Sequence, residues 1–338
     1  MKKYRTSIQE HVREKKTMLP KMDNKERSAR AVIRFFSTAV LLMILTFAGM
    51  TADAAVKQKG FASAEEAVKA AMAAVKSGND KEMLAIFGVE VKEVMFSGDP
   101  VSDKQRRERF IHAYDQKNGL SKEGDKMVLT VGEKDWPFPI PLVKKGDQWF
   151  FDTKAGKEEI LNRRIGQNEL STIQTMLAIV DAQREYAMND RDGDGVLEYA
   201  EKFRSDPGKK NGLYWQTKEG EEPSPLGELV VQARAEGYTK AGSKSNPAPF
   251  PFHGYYFRML MKQGKHAPGG AYDYVVKGKQ FGGFAVVAYP AEYGNSGVVT
   301  FVVNHEGVVY EKDLGKDTAK TAKAMTAFDP DTTWKKAQ

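Results

Sequence analysis

A chain of 338 residues that is 41% hydrophobic and 29% charged has the balance of a globular protein and a length that suggests two domains. Its net charge of +7 is almost wholly N-terminal: residues 1–54 hold eleven Lys and Arg against five Asp and Glu, a net of +6, which leaves +1 for residues 55–338 and no bulk attraction for nucleic acid. Cysteine is absent, which excludes disulfides, thiolate nucleophiles, Cys-ligated metals and a lipobox for lipid anchoring.

The N-terminus reads as an export signal. Residues 23–34 are basic, Phe35 to Met50 is an uncharged apolar run, and Ala52-Asp53-Ala54 offers small residues at both positions of an A-x-A cleavage site. Translation from Met18 or Met22 gives the basic region an ordinary length; from Met1 it is over-long. Residues 35–52 hold 18 uncharged positions, the short limit for a bilayer span, so a retained anchor is the alternative to cleavage. In both cases the expected location of residues 55–338 is periplasmic or secreted, and the only expected membrane contact is an uncleaved signal.

Residues 55–156 read as a small α+β domain, helices first and then a β-meander. Ser63-Ala64-Glu65-Glu66 is a capping box, Ala67, Val68, Ala71, Met72 and Val75 recur at helical spacing, and Gly78 stops the helix. A second helix is expected near Asp80–Phe87, and a third over 103–117, capped by Ser102 and burying Phe110, Ile111 and Tyr114. Extended segments follow at Lys126–Val131, Phe138–Val143 and Gln148–Asp152. Pro137, Pro139 and Pro141 confine their stretch to a sheet edge, because proline cannot donate to a central ladder.

Residues 157–316 read as a second α+β domain, with 317–338 as a C-terminal tail. A long helix over 157–188 carries an apolar stripe of Leu170, Ile173, Leu177, Val180 and Ala187. After a polar, Gly/Pro-rich stretch near 206–250 come strands at Gly254–Lys262, Tyr272–Val276, Phe281–Tyr289, Gly297–Asn304 and Val308–Leu314. Sequential strands with tight turns imply an antiparallel sheet. A long helix laid on such a sheet resembles the layout of pilin globular domains.

One motif carries specific chemistry. Residues 190–201, DRDGDGVLEYAE, match the twelve-position EF-hand loop. Calcium takes six to eight oxygens, which Asp190, Asp192, Asp194, the Val196 carbonyl, Glu198 and a bidentate Glu201 supply. Gly195 permits the sharp turn, and Leu197 is placed to plug into the core. Carboxylates packed this closely repel one another without a cation. The exiting helix has room only to about Ser205 before Asp206-Pro207-Gly208, and no second loop is visible, so the expected role of the ion is structural. An acidic surface turn is the competing reading.

Catalytic patterns are weaker. No HExxH, GxSxG, Walker A or Rossmann glycine motif occurs. Gly294-Asn295-Ser296-Gly297 reads as a hairpin turn. His253, His266 and His305 lie near Asp273, Glu292 and Glu306 in the last third, but at spacings that match no ligand motif. Tyr214, Trp215, Tyr255, Tyr256, Tyr272, Tyr274, Tyr289 and Tyr293 offer stacking faces for sugars or peptides, yet half or more belong in a sheet core.

The segments DRDGDGVLEYAEKF (190–203), NGLYW (211–215), GGAYDYVV (269–276), GGFAVVAYPAEY (282–293) and VTFVVNHEGVVYEKDL (299–314), with KDWPFPIPL (134–142) before them, resemble an exported bacterial family known as domain of unknown function family 2950. The resemblance covers residues 60–315. It implies an envelope or secreted location and no particular activity. The expectation is therefore a non-enzymatic envelope protein with a structural Ca2+ site that binds a protein or envelope polymer. The alternative is a periplasmic hydrolase of cell-wall or polysaccharide material, with His253, Asp273 and His305 as its candidates.

Overall fold

The chain divides into two units, Met1–Ala55 and Val56–Gln338. A computed structural model describes residues 57–191, 193–238 and 250–337, all in the second unit; the export segment and Asp192 lie outside them. The fold is α+β. Among the described residues no helix is long and apolar enough to cross a membrane.

Helices α1 (Ala64–Ser77) and α2 (Asp80–Phe87) form where local chemistry dictates. Ser63 Oγ accepts the Glu66 N–H at 3.1 Å, Asn79 Oδ1 accepts the Glu82 N–H at 3.1 Å, and Gly78 closes α1 at φ 64°. After α3 (Val91–Met95), α4 runs Pro100–Gln116. Its cap is Asp99 rather than Ser102, because Pro100 at the first helical position needs no N–H partner and Asp99 Oδ1 accepts the Ser102 N–H at 3.1 Å. Five strands follow: β1 (Asn118–Glu123), β2 (Lys126–Val131), β3 (Trp136–Pro137), β4 (Leu142–Lys145) and β5 (Gln148–Phe151). They pair in the order β1-β2-β4-β5, with the proline-bearing β3 joined to β2. Apolar faces of α1 and α2 meet Leu129, Ile140, Leu142 and Phe151 in one core, where the Phe87 and Phe151 rings stand 4.5 Å apart.

Helix α5 (Thr153–Tyr186) serves both halves. Near its start Gly156 lies against the Pro139–Ile140 backbone, which a Cβ at that position would strike, so only glycine permits the approach. Its buried face keeps only part of the expected stripe: Val180 is buried and Ile173 packs on the core, but Leu170 is 61% and Leu177 41% exposed, while Met176, Ile179, Gln183 and Tyr186 are buried. Buried polar groups on α5 set its rotation. Arg164, Asn168 and Gln183 face inward because partners far away in sequence receive them, while the buried Thr172 hydroxyl donates to the Asn168 carbonyl one turn back.

After α5 come the short parallel pair β6 (Lys202–Arg204) and β7 (Gly212–Tyr214), then α6 (Gly227–Ala235). A five-stranded antiparallel sheet follows in the order β14-β13-β12-β11-β8, from β8 (Tyr255–Leu260), β11 (Ala285–Pro290), β12 (Val299–Asn304), β13 (Tyr310–Asp313) and β14 (Lys335–Lys336). The pair β9 (Lys262–Gln263) and β10 (Tyr272–Asp273) stands beside it. Every residue of β11 is buried, because both faces of the sheet are covered. Val286 and Ala288 meet Met176 and Ile179 of α5; Ala285, Val287 and Tyr289 meet Ala322 and Phe328. Residues 317–337 are thus part of the fold rather than the expected tail: α7 (Thr318–Ala324) supplies the fully buried Ala322, and Phe328 is likewise 0% exposed. Their apolar residues are too sparse among Lys and Thr to show a helical period.

Candidate functional site

The acidic loop leaves the C-terminus of α5 and curls on itself. Asp190 Oδ1 accepts the Gly193 N–H at 2.7 Å and the Asp194 N–H at 3.3 Å, and its Oδ2 accepts the Gly195 N–H at 2.8 Å. Gly193 and Gly195 adopt φ of 80° and 84°, which a side chain would resist. Asp194 Oδ1 accepts the Val196 N–H at 3.0 Å.

Asp194 and Glu198 converge on a cation that the chain itself provides. Lys279 Nζ lies 2.7 Å from Asp194 Oδ2 and 3.1 Å from Glu198 Oε1, and Glu198 Oε2 accepts the Gln280 N–H at 3.2 Å. The Lys279 ammonium holds the Asp194 carboxyl below its usual range, and the Val196 N–H adds to the effect. Lys279 is aimed by a tight turn: Val276 and Lys279 exchange backbone hydrogen bonds of 2.8 and 3.1 Å across Lys277 and Gly278, both at positive φ as a type I′ turn requires. Sequence spacing missed this lysine, which is about eighty residues downstream of the acids it meets; the only signal was Lys-Gly at a turn.

The second half of the loop departs from the EF-hand expectation. No exiting helix forms; residues 196–200 are irregular and lead into β6. Leu197 does not plug the core but is 57% exposed, while Tyr199 packs on the core and Ala200 is fully buried. Glu201 makes no hydrogen bond or ion pair with the described residues. The cause is Gln183 of α5, whose side-chain amide receives the Ala200 N–H at 2.8 Å and donates to the Ala200 carbonyl at 2.9 Å. The Tyr199 N–H is taken by the Gln280 carbonyl at 3.0 Å, so backbone groups that a helix would use internally are already paired. Arg191 anchors the near side: its side chain is 3% exposed, pairs with Glu222 at 2.8 Å, and stands 5.9 and 5.6 Å from the Tyr186 and Trp215 ring centroids.

Of the predicted ligands, the described residues bring Asp190, Asp194, Val196 and Glu198 into one loop; Asp192 lies outside them, and Glu201 sits at the exit. The oxygens are hard donors suited to calcium, with the Lys279 ammonium beside two of them. Among the described residues no three His, Asp or Glu side chains form a ready metal cluster.

The histidines do not assemble into a catalytic group. His253 precedes β8 and His305 follows β12; the register sets Tyr255 opposite Pro290 but Leu260 opposite Ala285, itself paired with Asn304. Five residues of strand, about 17 Å, therefore separate the two ends. Asp273 is exposed at the His305 end, and His266 pairs on the surface with Asp329 at 3.1 Å. His253 belongs to a buried seam between the halves, with its Nε2 3.4 Å from Glu236 and its N–H donated to the Tyr238 hydroxyl, which in turn donates to Asp99 at 2.8 Å. The 294–297 turn docks in the same seam: Asn295 donates to the Phe96 carbonyl at 2.7 Å and receives Arg164. The aromatics are largely core, with Tyr255 and Tyr274 fully buried.

No curated protein and no solved structure matches this chain. The family described as "Protein of unknown function (DUF2950)" matches residues 58–337, every described residue but the first. The chain belongs to that family.

Proposed function

We propose that this protein is an exported, non-enzymatic envelope protein in which calcium fastens the 190–201 loop and the folded unit binds a partner protein or envelope polymer. The observation that carries the calcium reading is the gathering of Asp190, Asp194 and Glu198 between the end of α5 and the Lys277–Gly278 turn. The Lys279 ammonium and hydrogen bonds at Gln280 join these segments beside the packing of Tyr199 on Phe284. A divalent ion there, with Asp192 and Glu201 completing the oxygens, ties the long helix to the sheet in place of, or beside, the Lys279 ammonium. Export rests on the order of basic, apolar and small residues in 23–54. The long helix on an antiparallel sheet supports a pilin-like reading of the second half.

Calorimetry of residues 55–338 with millimolar calcium and with chelator is the test. A calcium-dependent rise in Tm and a saturable heat of binding are expected; identical melting curves and no heat of titration remove the ion from the proposal. Cell fractionation tests export, and full-length, uncleaved protein in the cytoplasm would end that part of it.

A further inference from the structure

The N-terminal half holds a feature that the loop does not explain. Between α1–α4, β2–β3 and the start of α5 lies a cavity of about 850 Å³, within the roughly 300–1,000 Å³ usual for small-molecule sites. Met83, Phe87, Val94, Phe110, Phe138 and Ile140 are among its walls. The face of α4 that lines it changes character along the helix, from Asp103, Arg106 and Arg109 to Phe110 and Ala113. That stretch of α4 is therefore cationic; most of the remaining wall is apolar, with Asp80, Gln116, Glu133, Lys134 and Arg163 among its polar members.

The cationic end is short of counter-charge. Arg164 lines the cavity and is 4% exposed, yet it meets no carboxylate: it donates to the Glu93 carbonyl at 2.9 Å, to the Val94 carbonyl and to Asn295 Oδ1, and its Nε has no hydrogen-bond partner. Burial, with the neighbouring Arg106, brings its pKa down to about 10 against the opposing pull of Asp103 and Glu292. Arg106 is already satisfied by Asp103 at 2.6 Å. Arg107, Arg109 and Lys134 also line the cavity and make no ion pair with the described residues. Of the lining acids, Asp80 and Glu133 remain after Asp103, so cations are in excess. Unpaired cations on an otherwise apolar wall favour an anionic ligand over a neutral one.

We propose that this cavity binds a long-chain fatty acid, its hydrocarbon chain on the apolar walls and its carboxylate at Arg109, which lines the cavity and makes no ion pair with the described residues. The Arg109 guanidinium can take a carboxylate through two parallel N–H donors. Exposed Trp136 and Phe96, 41% and 48% accessible, flank the cavity and give the chain an apolar entry. The proposal stands apart from the calcium loop and survives its failure.

The test is displacement of the fluorescent fatty acid cis-parinarate from the purified chain. Palmitate should displace it with one site per chain, while hexadecanol, which lacks the charge, and octanoate, which lacks the length, should be at least about tenfold weaker. Arg164 also pins α3 to the 294–297 turn, so Arg109→Glu carries the mutational arm: it should weaken palmitate about tenfold with circular dichroism and Tm unchanged. No displacement by palmitate, equal displacement by hexadecanol, tighter binding of hexadecyl phosphate, or an unaltered palmitate affinity in folded Arg109→Glu would each overturn the assignment.

Discussion

Lys279 Nζ lies 2.7 Å from Asp194 Oδ2, so the acidic loop contains an ammonium where an EF-hand loop would place a metal ion. On the proposed calcium reading, lysine and calcium compete for the same carboxylates, and the ammonium holds the loop when calcium is scarce. Removing the lysine should expose the competition. Lys279→Ala is expected to lower Tm in chelator, to recover it in calcium, and to raise calcium affinity on the order of tenfold, since a cation no longer opposes the ion. Isothermal titration of the two proteins measures the difference; equal affinities would place the ammonium outside the ion's site.

The loop's exit depends on one amide. Gln183 is fully buried and satisfies both the N–H and the carbonyl of Ala200. Gln183→Leu keeps the volume but leaves both backbone groups unpaired, at a cost of about 2–5 kcal/mol. Urea unfolding reads this directly. A loss below about 1 kcal/mol would mean that water or another group replaces the amide.

Acid should loosen the seam between the halves. Burial holds the His253 imidazole below its ordinary 6.5, against the opposing pull of Glu236 and Asp99 and with that of Arg106 and Arg109. His305 is depressed in the same sense, also by burial. The unfolded chain takes up these protons near 6.5 and the folded chain only at lower pH. Stability is therefore whole above 6.5 and is lost as pH falls from there through the folded pKa. His253→Asn tolerates the φ of 49° at this position and does not titrate. Its Tm should fall less between about pH 7.5 and 5 than that of the parent; parallel curves would show that His253 contributes nothing to the slope.

The C-terminal segment should be indispensable. Phe328 is fully buried against the sheet face opposite α5, so Phe328→Ala is expected to cost about 3–5 kcal/mol. Removal of residues 317–338 should expose Val287 and Val302 and yield insoluble protein. A soluble, cooperatively melting truncation would show that the covering is dispensable.

Much of the chain was legible before any coordinates. The cap Ser63, the stop at Gly78 and the strand runs around 126–131, 255–260 and 299–304 follow from rules that act over a few residues, and those rules held. The family emerged from the same local motifs.

What only the tertiary structure decided are the matters settled by distant partners. The buried face of α5 could be read only in part from its apolar stripe, because Arg164, Asn168 and Gln183 are drawn inward by Asn295, Ser296 and Ala200. The helix expected after the acidic loop is replaced by extended chain for the same reason: Gln183 and Gln280 had already paired the backbone groups it needed. Lys279 reached its acids through a turn eighty residues on, and the last twenty residues became a covering layer only once β11 required one on both faces. Capping and turn chemistry are written in neighbours; the burial of a polar or charged group is favourable only when a partner arrives, and the sequence does not say from where.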